Sequence, residues 1–208
     1  MIRLLLAGGP FMFATLAVSV ITVAIFIWRC IYLWGRAKVS YTMLGQIVGH
    51  LEAGEVTQAL RLAGSDQSPL GKVLLGALKR ANRTEREIRR AVETVALDEI
   101  PRVRGATVYL PQLSNLATLC GLIGTIHGLI IAFQGAGSEN AAARQAILSQ
   151  GISIAFYNTF FGLSVATVTI VFYLVLLAKT NSVLGLIERA AASVIDSILW
   201  YRDPSRKV

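Results

Sequence analysis

The sequence predicts an all-α, polytopic membrane protein with three transmembrane helices. Its 208 residues are 54% hydrophobic and 15% charged, too apolar for a soluble domain whose polar shell has to cover its core. Three stretches, residues 4–28, 105–138 and 145–178, contain no Asp, Glu, Lys or Arg, and each exceeds the roughly 20 residues a helix needs to cross a bilayer. Between and after them, apolar residues recur at helical spacing rather than alternating as in a strand.

The first span is expected at about residues 8–34. Arg3 precedes it, as in a secretory signal, but the apolar run exceeds the about 7–15 residues of a signal core and no small-residue cleavage pattern closes it. It reads as a retained span. The second and third spans are expected at about 108–133 and 151–178. Arg29, Arg36 and Lys38 follow span 1, Arg102 and Arg104 precede span 2 and Lys179 follows span 3, whereas the loop between spans 2 and 3 offers only Arg144. Lys and Arg mark the inner side, so the N-terminus and the 134–150 loop face outward. The 35–107 region and the 179–208 tail are then cytoplasmic. The net charge of +8 follows from that placement and does not point to nucleic acid. Cys30 and Cys120 fall at different depths and read as packing residues rather than a disulfide.

The region between spans 1 and 2 reads as helical. Ser68 before Pro69 is an N-cap with proline at the first helical position, and Leu70, Val73, Leu74, Ala77 and Leu78 follow on one face. Thr84 and Glu87 form a capping-box pattern opening a helix with Ile88, Ala91, Val92 and Val95 on one face. If it runs through a kink at Pro101 to Phe133, it measures on the order of 75 Å. Past Lys179, Leu184, Ile187, Ala191, Val194 and Ile198 keep a stripe that predicts a helical tail packed on the cytoplasmic helices. No repeat or second domain is visible, so one domain is expected.

Small and hydroxyl-bearing residues form stripes inside the spans. Ser114, Thr118, Gly121, Thr125, Gly128 and Ala132 share a helical face in span 2, and Ala155, Thr159, Gly162, Ala166 and Thr169 do so in span 3. Span 1 has a weaker version in Thr15, Ser19 and Thr22. Such faces let helices approach closely and hydrogen-bond, or they line a path. Three spans are too few to enclose one, so the second reading needs several copies.

No carboxylate lies in any span, although a membrane protein that moves protons needs a titratable stop. His127 is the candidate relay, but it follows Thr125 by two residues and points roughly 200° away from it on a regular helix. Asn158 reads as an interhelical hydrogen-bonding residue. The Gly-Leu-Ile-Gly-Thr run from Gly121 lacks the lysine of a phosphate loop. No metal-ligand spacing or nucleophile-base arrangement occurs, so no cofactor, metal or enzymatic activity is expected.

The run from Leu119 to Phe133, containing Gly-Leu-Ile-Gly-Thr, and the run from Gly151 to Ala166, in which Thr159 precedes Gly162-Leu163 by two residues, resemble the span 2 and span 3 signatures of the MotA/TolQ/ExbB proton channel family. The span layout is similar too. The resemblance implies a ring of subunits, a pentamer, in a bacterial inner membrane with a periplasmic N-terminus. It also implies a single-span TolR/ExbD/MotB-type partner carrying a membrane aspartate. Thr125 and Thr159 match the family's pore-facing threonines. The chain departs from TolQ and ExbB at Ile154, where those members carry glutamate, and at Thr167, where a proline is common. A gliding-type motor, or a non-conducting oligomeric scaffold, is the alternative.

Overall fold

The structure, a computed structural model, describes residues 8–37, 41–135, 137 and 140–202. Arg3 and Lys38, which bear on the expected orientation, residues 136, 138 and 139 of the loop between spans 2 and 3, and the end of the tail at 203–208 lie outside the described residues. Among the described residues all regular structure is helical: α1 Pro10–Ile31, a π-turn Tyr32–Arg36, α2 Tyr41–Glu52, α3 Val56–Ser65, α4 Pro69–Leu78, α5 Glu85–Arg104, a 3-10 segment Gly105–Tyr109, α6 Leu110–Gly135 and α7 Ala141–Arg202. Three stretches, Pro10–Gly35, Glu85–Gly135 and Ala141–Arg202, are long and apolar enough to span a membrane. The chain divides into two compact units. Met1–Trp28 with Ala106–Leu176 forms the first, and Arg29–Gly105 with Leu177–Val208 the second.

In the first unit α1, α6 and the N-terminal part of α7 turn large apolar side chains outward, among them Val20, Phe133, Phe156 and Phe160, as lipid-facing residues do. Inside, Val18, Ala117, Val165 and Ala166 form a small core with Leu113 and Phe161 against it. The Phe26 and Phe172 rings stack at 3.9 Å. The α6–α7 seam is closed by backbone approach. A β-carbon at Gly162 would lie 2.9 Å from both the Ala117 carbonyl and the Gly121 Cα, and one at Gly151 would lie 2.5 Å from the Ala132 nitrogen. Only glycine permits such contact, and it replaces hydrophobic driving force with packing where lipid is the solvent.

In the second unit the helix starts are set locally. The Ser68 hydroxyl accepts from the Gly71 N–H at 3.1 Å, and Pro69 opens α4. Leu70, Val73, Leu74, Ala77 and Leu78 are all buried, as their spacing predicts. Removing the cap with Ser68→Ala is expected to cost about 1 kcal/mol, read as a lower unfolding temperature. The Thr84 N–H and hydroxyl both reach the Glu87 carboxylate, at 3.0 and 2.8 Å, and α5 begins at Glu85. The tail residues Leu184, Ile187, Ala191, Val194 and Ile198 are buried. Leu184, Ile187 and Ile195 line an apolar groove together with Val73, Val92 and Ile100.

The helix from Thr84 does not run unbroken to Phe133. It passes through Pro101, ends at Arg104, and gives way to the 3-10 segment at Gly105, whose φ is +42°. Proline forfeits one backbone hydrogen bond without forbidding the turns that follow, whereas a left-handed glycine stops the helix. Arg29 explains how that end is held. Its side chain is 1% exposed, and its guanidinium donates to the carbonyls of Val103 and Arg102. These are two of the last four carbonyls of α5, which lack helical partners, at the negative end of the helix dipole. A β-carbon at Gly105 would meet the Arg29 guanidinium nitrogen at 2.5 Å, so glycine serves both the turn and the contact. Arg29→Met keeps most of the volume and removes the donors. It is expected to destabilise the protein by about 1–3 kcal/mol through orphaned carbonyls, which thermal unfolding would register.

Candidate functional site

Thr125 stands near the middle of α6 and Thr159 on the facing part of α7, and their hydroxyls are in direct hydrogen-bond contact. Each hydroxyl also reaches main-chain carbonyls. Thr125 can donate to Gly121 O at 3.0 Å or Ala155 O at 3.4 Å, and Thr159 to Ala155 O at 3.2 Å. A hydroxyl has one proton and two acceptor lone pairs. The pair therefore has two arrangements: Thr125 donates to Thr159 while Thr159 donates to Ala155 O, or Thr159 donates to Thr125 while Thr125 donates to a carbonyl. Such a pair can solvate a cation or pass a proton along, but neither hydroxyl titrates near neutral pH.

The residues predicted from sequence divide into three groups. Gly121, Gly128, Ala155, Gly162 and Ala166 are buried in the α6–α7 seam. Ser114 joins them, its hydroxyl donating to Ala166 O at 3.0 Å. Thr125 and Thr159 are half-buried at the edge of that seam, and Thr118, one heptad before Thr125, is exposed and bonded only to its own helix at Ser114 O, 3.2 Å. His127 stands apart from the threonines, packed on Phe11 of α1 with ring centroids 5.4 Å apart. Its Nδ1 has no partner among the described residues.

The buried face of α6 therefore differs from the expected stripe. It runs through Ser114, Ala117, Gly121, Gly124, Gly128, Ala132 and Gly135, with Ala117 and Gly124 where the sequence pattern places Thr118 and Thr125. Steps of three and four fit two neighbouring rows on a helix equally well. Close approach selects the row with the smaller side chains and leaves the two threonines at its margin.

Ile154 is buried five residues before Thr159, so the position offers an apolar wall. Asn158 is 1% exposed and ties the start of the first span to the third. Its Nδ2 donates to Gly8 O at 2.6 Å and Ile154 O at 2.9 Å, and it packs on Gly124, where any side chain would collide with it.

In the second unit, Glu99 is a residue that the sequence pattern does not single out. It is 4% exposed and paired with Lys72 at 3.0 Å and Arg102 at 2.5 Å. The available signal is its position on the continuation of the Ile88, Val92, Val95 stripe toward Val103. Cys30 and Cys120 are free thiols. Among the described residues no group of three or more His, Cys, Asp or Glu is placed to hold a metal.

The family model described as the MotA/TolQ/ExbB proton channel family matches residues 65–189. A putative biopolymer transport protein ExbB homolog of Methanothermobacter thermautotrophicus is 30% identical over 155 residues, 73% of this chain and 54% of that protein. Two Synechocystis proteins are also similar. The putative biopolymer transport protein ExbB-like 3 is 29% identical over 169 residues, 80% of each chain. ExbB-like 1 is 29% identical over 204 residues, 94% of this chain and 79% of that one. The chain thus spans about half the length of the Methanothermobacter relative and about four fifths of the other two.

Proposed function

The chain belongs to the MotA/TolQ/ExbB proton channel family, and from that premise we propose that it is the ring-forming subunit of an ion-driven motor in the inner membrane. Five copies, each with a periplasmic N-terminus and a cytoplasmic tail, surround the single-span helices of a TolR/ExbD/MotB-type partner. The observation that carries this reading is the Thr125–Thr159 hydroxyl pair in spans without a single carboxylate. A proton crossing the bilayer core needs a titratable group, and beside the threonines this chain supplies walls and hydroxyls, its one span imidazole, His127, being packed against Phe11 instead. The partner's aspartate completes the path, with the exposed Thr118 on the same helix extending the polar lining, while Ser114, expected there from sequence, is buried in the seam. One charge moving through 100 mV releases roughly 2.3 kcal/mol, which drives relative movement of ring and partner. The work delivered is energised transport across the envelope or mechanical force. Ile154, where TolQ and ExbB carry glutamate, is a departure from those members, and a specialised motor of the gliding type is the alternative reading.

Purification from native membranes tests the reading. A single-span protein with a membrane aspartate is expected to co-purify, and changing that aspartate to asparagine is expected to abolish ion flux through the reconstituted complex. A stable homo-oligomer without such a partner and without flux would instead identify a scaffold whose small-residue stripes serve packing alone.

A further inference from the structure

In the second unit a groove of about 590 Å³ lies between α2 and α7, lined by Val48, Glu52, Ser193, Asp196, Ser197 and Trp200. Its two charged residues are carboxylates, and neither has an ion-pair partner among the described residues. Trp200 is 42% exposed beside them. The groove residues of α7 share one face of the helix, roughly opposite the face whose Ile187, Ala191 and Ile195 turn to α5. The outer side of α5 carries the opposite charge. Ile88 is buried, Val95 packs on Gly76 of α4 and Val92 faces α7, whereas Arg86 and Arg90 are exposed on the other side of the helix. They too have no ion-pair partner among the described residues. Groove and arginines stand at the same level. Arg202, at the end of α7, donates to the carbonyls of Ala81 and Arg83 just before α5, and the two helices run antiparallel from that contact. Six residues along each, about 9 Å, set Asp196 level with Arg89, between Arg86 and Arg90.

We propose that Arg86 and Arg90 of one copy of the chain enter the groove of the next, pairing with Asp196 and Glu52 beside the Trp200 ring. A contact between two different faces is heterologous, and repeated head to tail it generates a ring where the rotation closes. Rotation about an axis along α7 keeps every residue at its level, so arginines and carboxylates at one level on different faces can meet all the way round. Exposed ion pairs hold weakly but set register and exclude wrong partners, and Arg and Trp are residue types enriched at protein contacts. The inference rests on the ring reading above and adds which surfaces meet.

Thiol cross-linking of the full chain in membranes tests it, with Cys30 and Cys120 replaced by alanine. Chains carrying Arg90→Cys and chains carrying Ser193→Cys, co-expressed and treated with a short bifunctional thiol reagent, are expected to give linked dimers that neither chain gives alone. Leu97 lies about 10 Å further along α5, so Leu97→Cys with Ser193→Cys is expected to link at least about fivefold less. Arg90, Leu97 and Ser193 are all exposed, so these substitutions leave the fold in place. Adding Asp196→Arg to the Ser193→Cys chain is expected to lower the yield, and adding Arg86→Glu to the Arg90→Cys chain to restore it. The mass of the purified complex is measured in parallel. An oligomer without the product between Arg90→Cys and Ser193→Cys overturns this contact and leaves the ring reading standing, whereas a monomer overturns both. Linkage of Ser193→Cys to a different protein in place of a second copy would assign the groove to that protein and overturn the proposal.

Discussion

Gly128→Val is expected to abolish a monodisperse membrane-embedded protein, and Gly128→Ala to lower its unfolding temperature by several degrees. A β-carbon at Gly128 would lie 2.5 Å from the Ala155 nitrogen, 2.7 Å from Gly151 O and 2.9 Å from the Ala155 Cα. All three are backbone atoms, so no rotamer change relieves the contact and the helices themselves have to separate. Overpacking a well-packed interior costs about 1–3 kcal/mol, and a main-chain collision belongs at the upper end of that range. Separation would also loosen the Thr125–Thr159 contact, because the same seam positions both hydroxyls. Gly45 supplies the contrast. It lies within α2, where an added β-carbon would meet nothing within 4 Å, so Gly45→Ala is expected to be neutral or to stabilise by up to about 1 kcal/mol through helix propensity. Thermal unfolding and size-exclusion profiles in detergent would check both. Equal melting temperatures for Gly128→Ala and the parent protein would show that the seam does not depend on this contact.

What can be read from the sequence follows the range of the forces involved. The starts of α4 and α5 are legible because Ser68 with Pro69, and Thr84 with Glu87, act on atoms within one turn. The tail stripe from Leu184 to Ile198 is legible because burial repeats along a single helix. The row of α6 that enters the seam is not, since steps of three and four describe two adjacent rows and only the presence of α7 selects Ala117 and Gly124. Arg29 reads as an ordinary inner-flank cation until the end of α5 is placed against it, a contact made across 74 residues of chain. The break at Gly105 rather than Pro101 belongs to the same class, because that glycine answers to Arg29 as well as to its own backbone. In the candidate site, the sequence stripes single out both threonines, whereas their mutual contact is a product of the glycine seam.

Thr159→Val is expected to reduce partner-coupled activity severely while leaving the fold intact. Valine keeps the shape of threonine and removes the hydroxyl, so the packing around Ala155 and Gly162 is preserved. A hydrogen bond to a charged group contributes about 1.5–3 kcal/mol, which corresponds to a rate loss of roughly 10–150-fold if the hydroxyl solvates the passing charge at its highest barrier. Thr159→Ser retains the oxygen and is expected to keep most of the activity, separating the role of the hydroxyl from that of the methyl. Thr125→Val should produce a similar loss, because its hydroxyl is the other half of the same contact. The double variant then discriminates between a pair and two independent wall residues. If the two hydroxyls act as one relay, removing the second adds little once the first is gone, and the combined effect falls well short of the product of the single effects. Reconstituted flux, measured with the partner and with matched protein levels, is the readout. Undiminished flux for Thr159→Val would remove the threonine pair from the ion path and leave it as a packing contact at the margin of the seam.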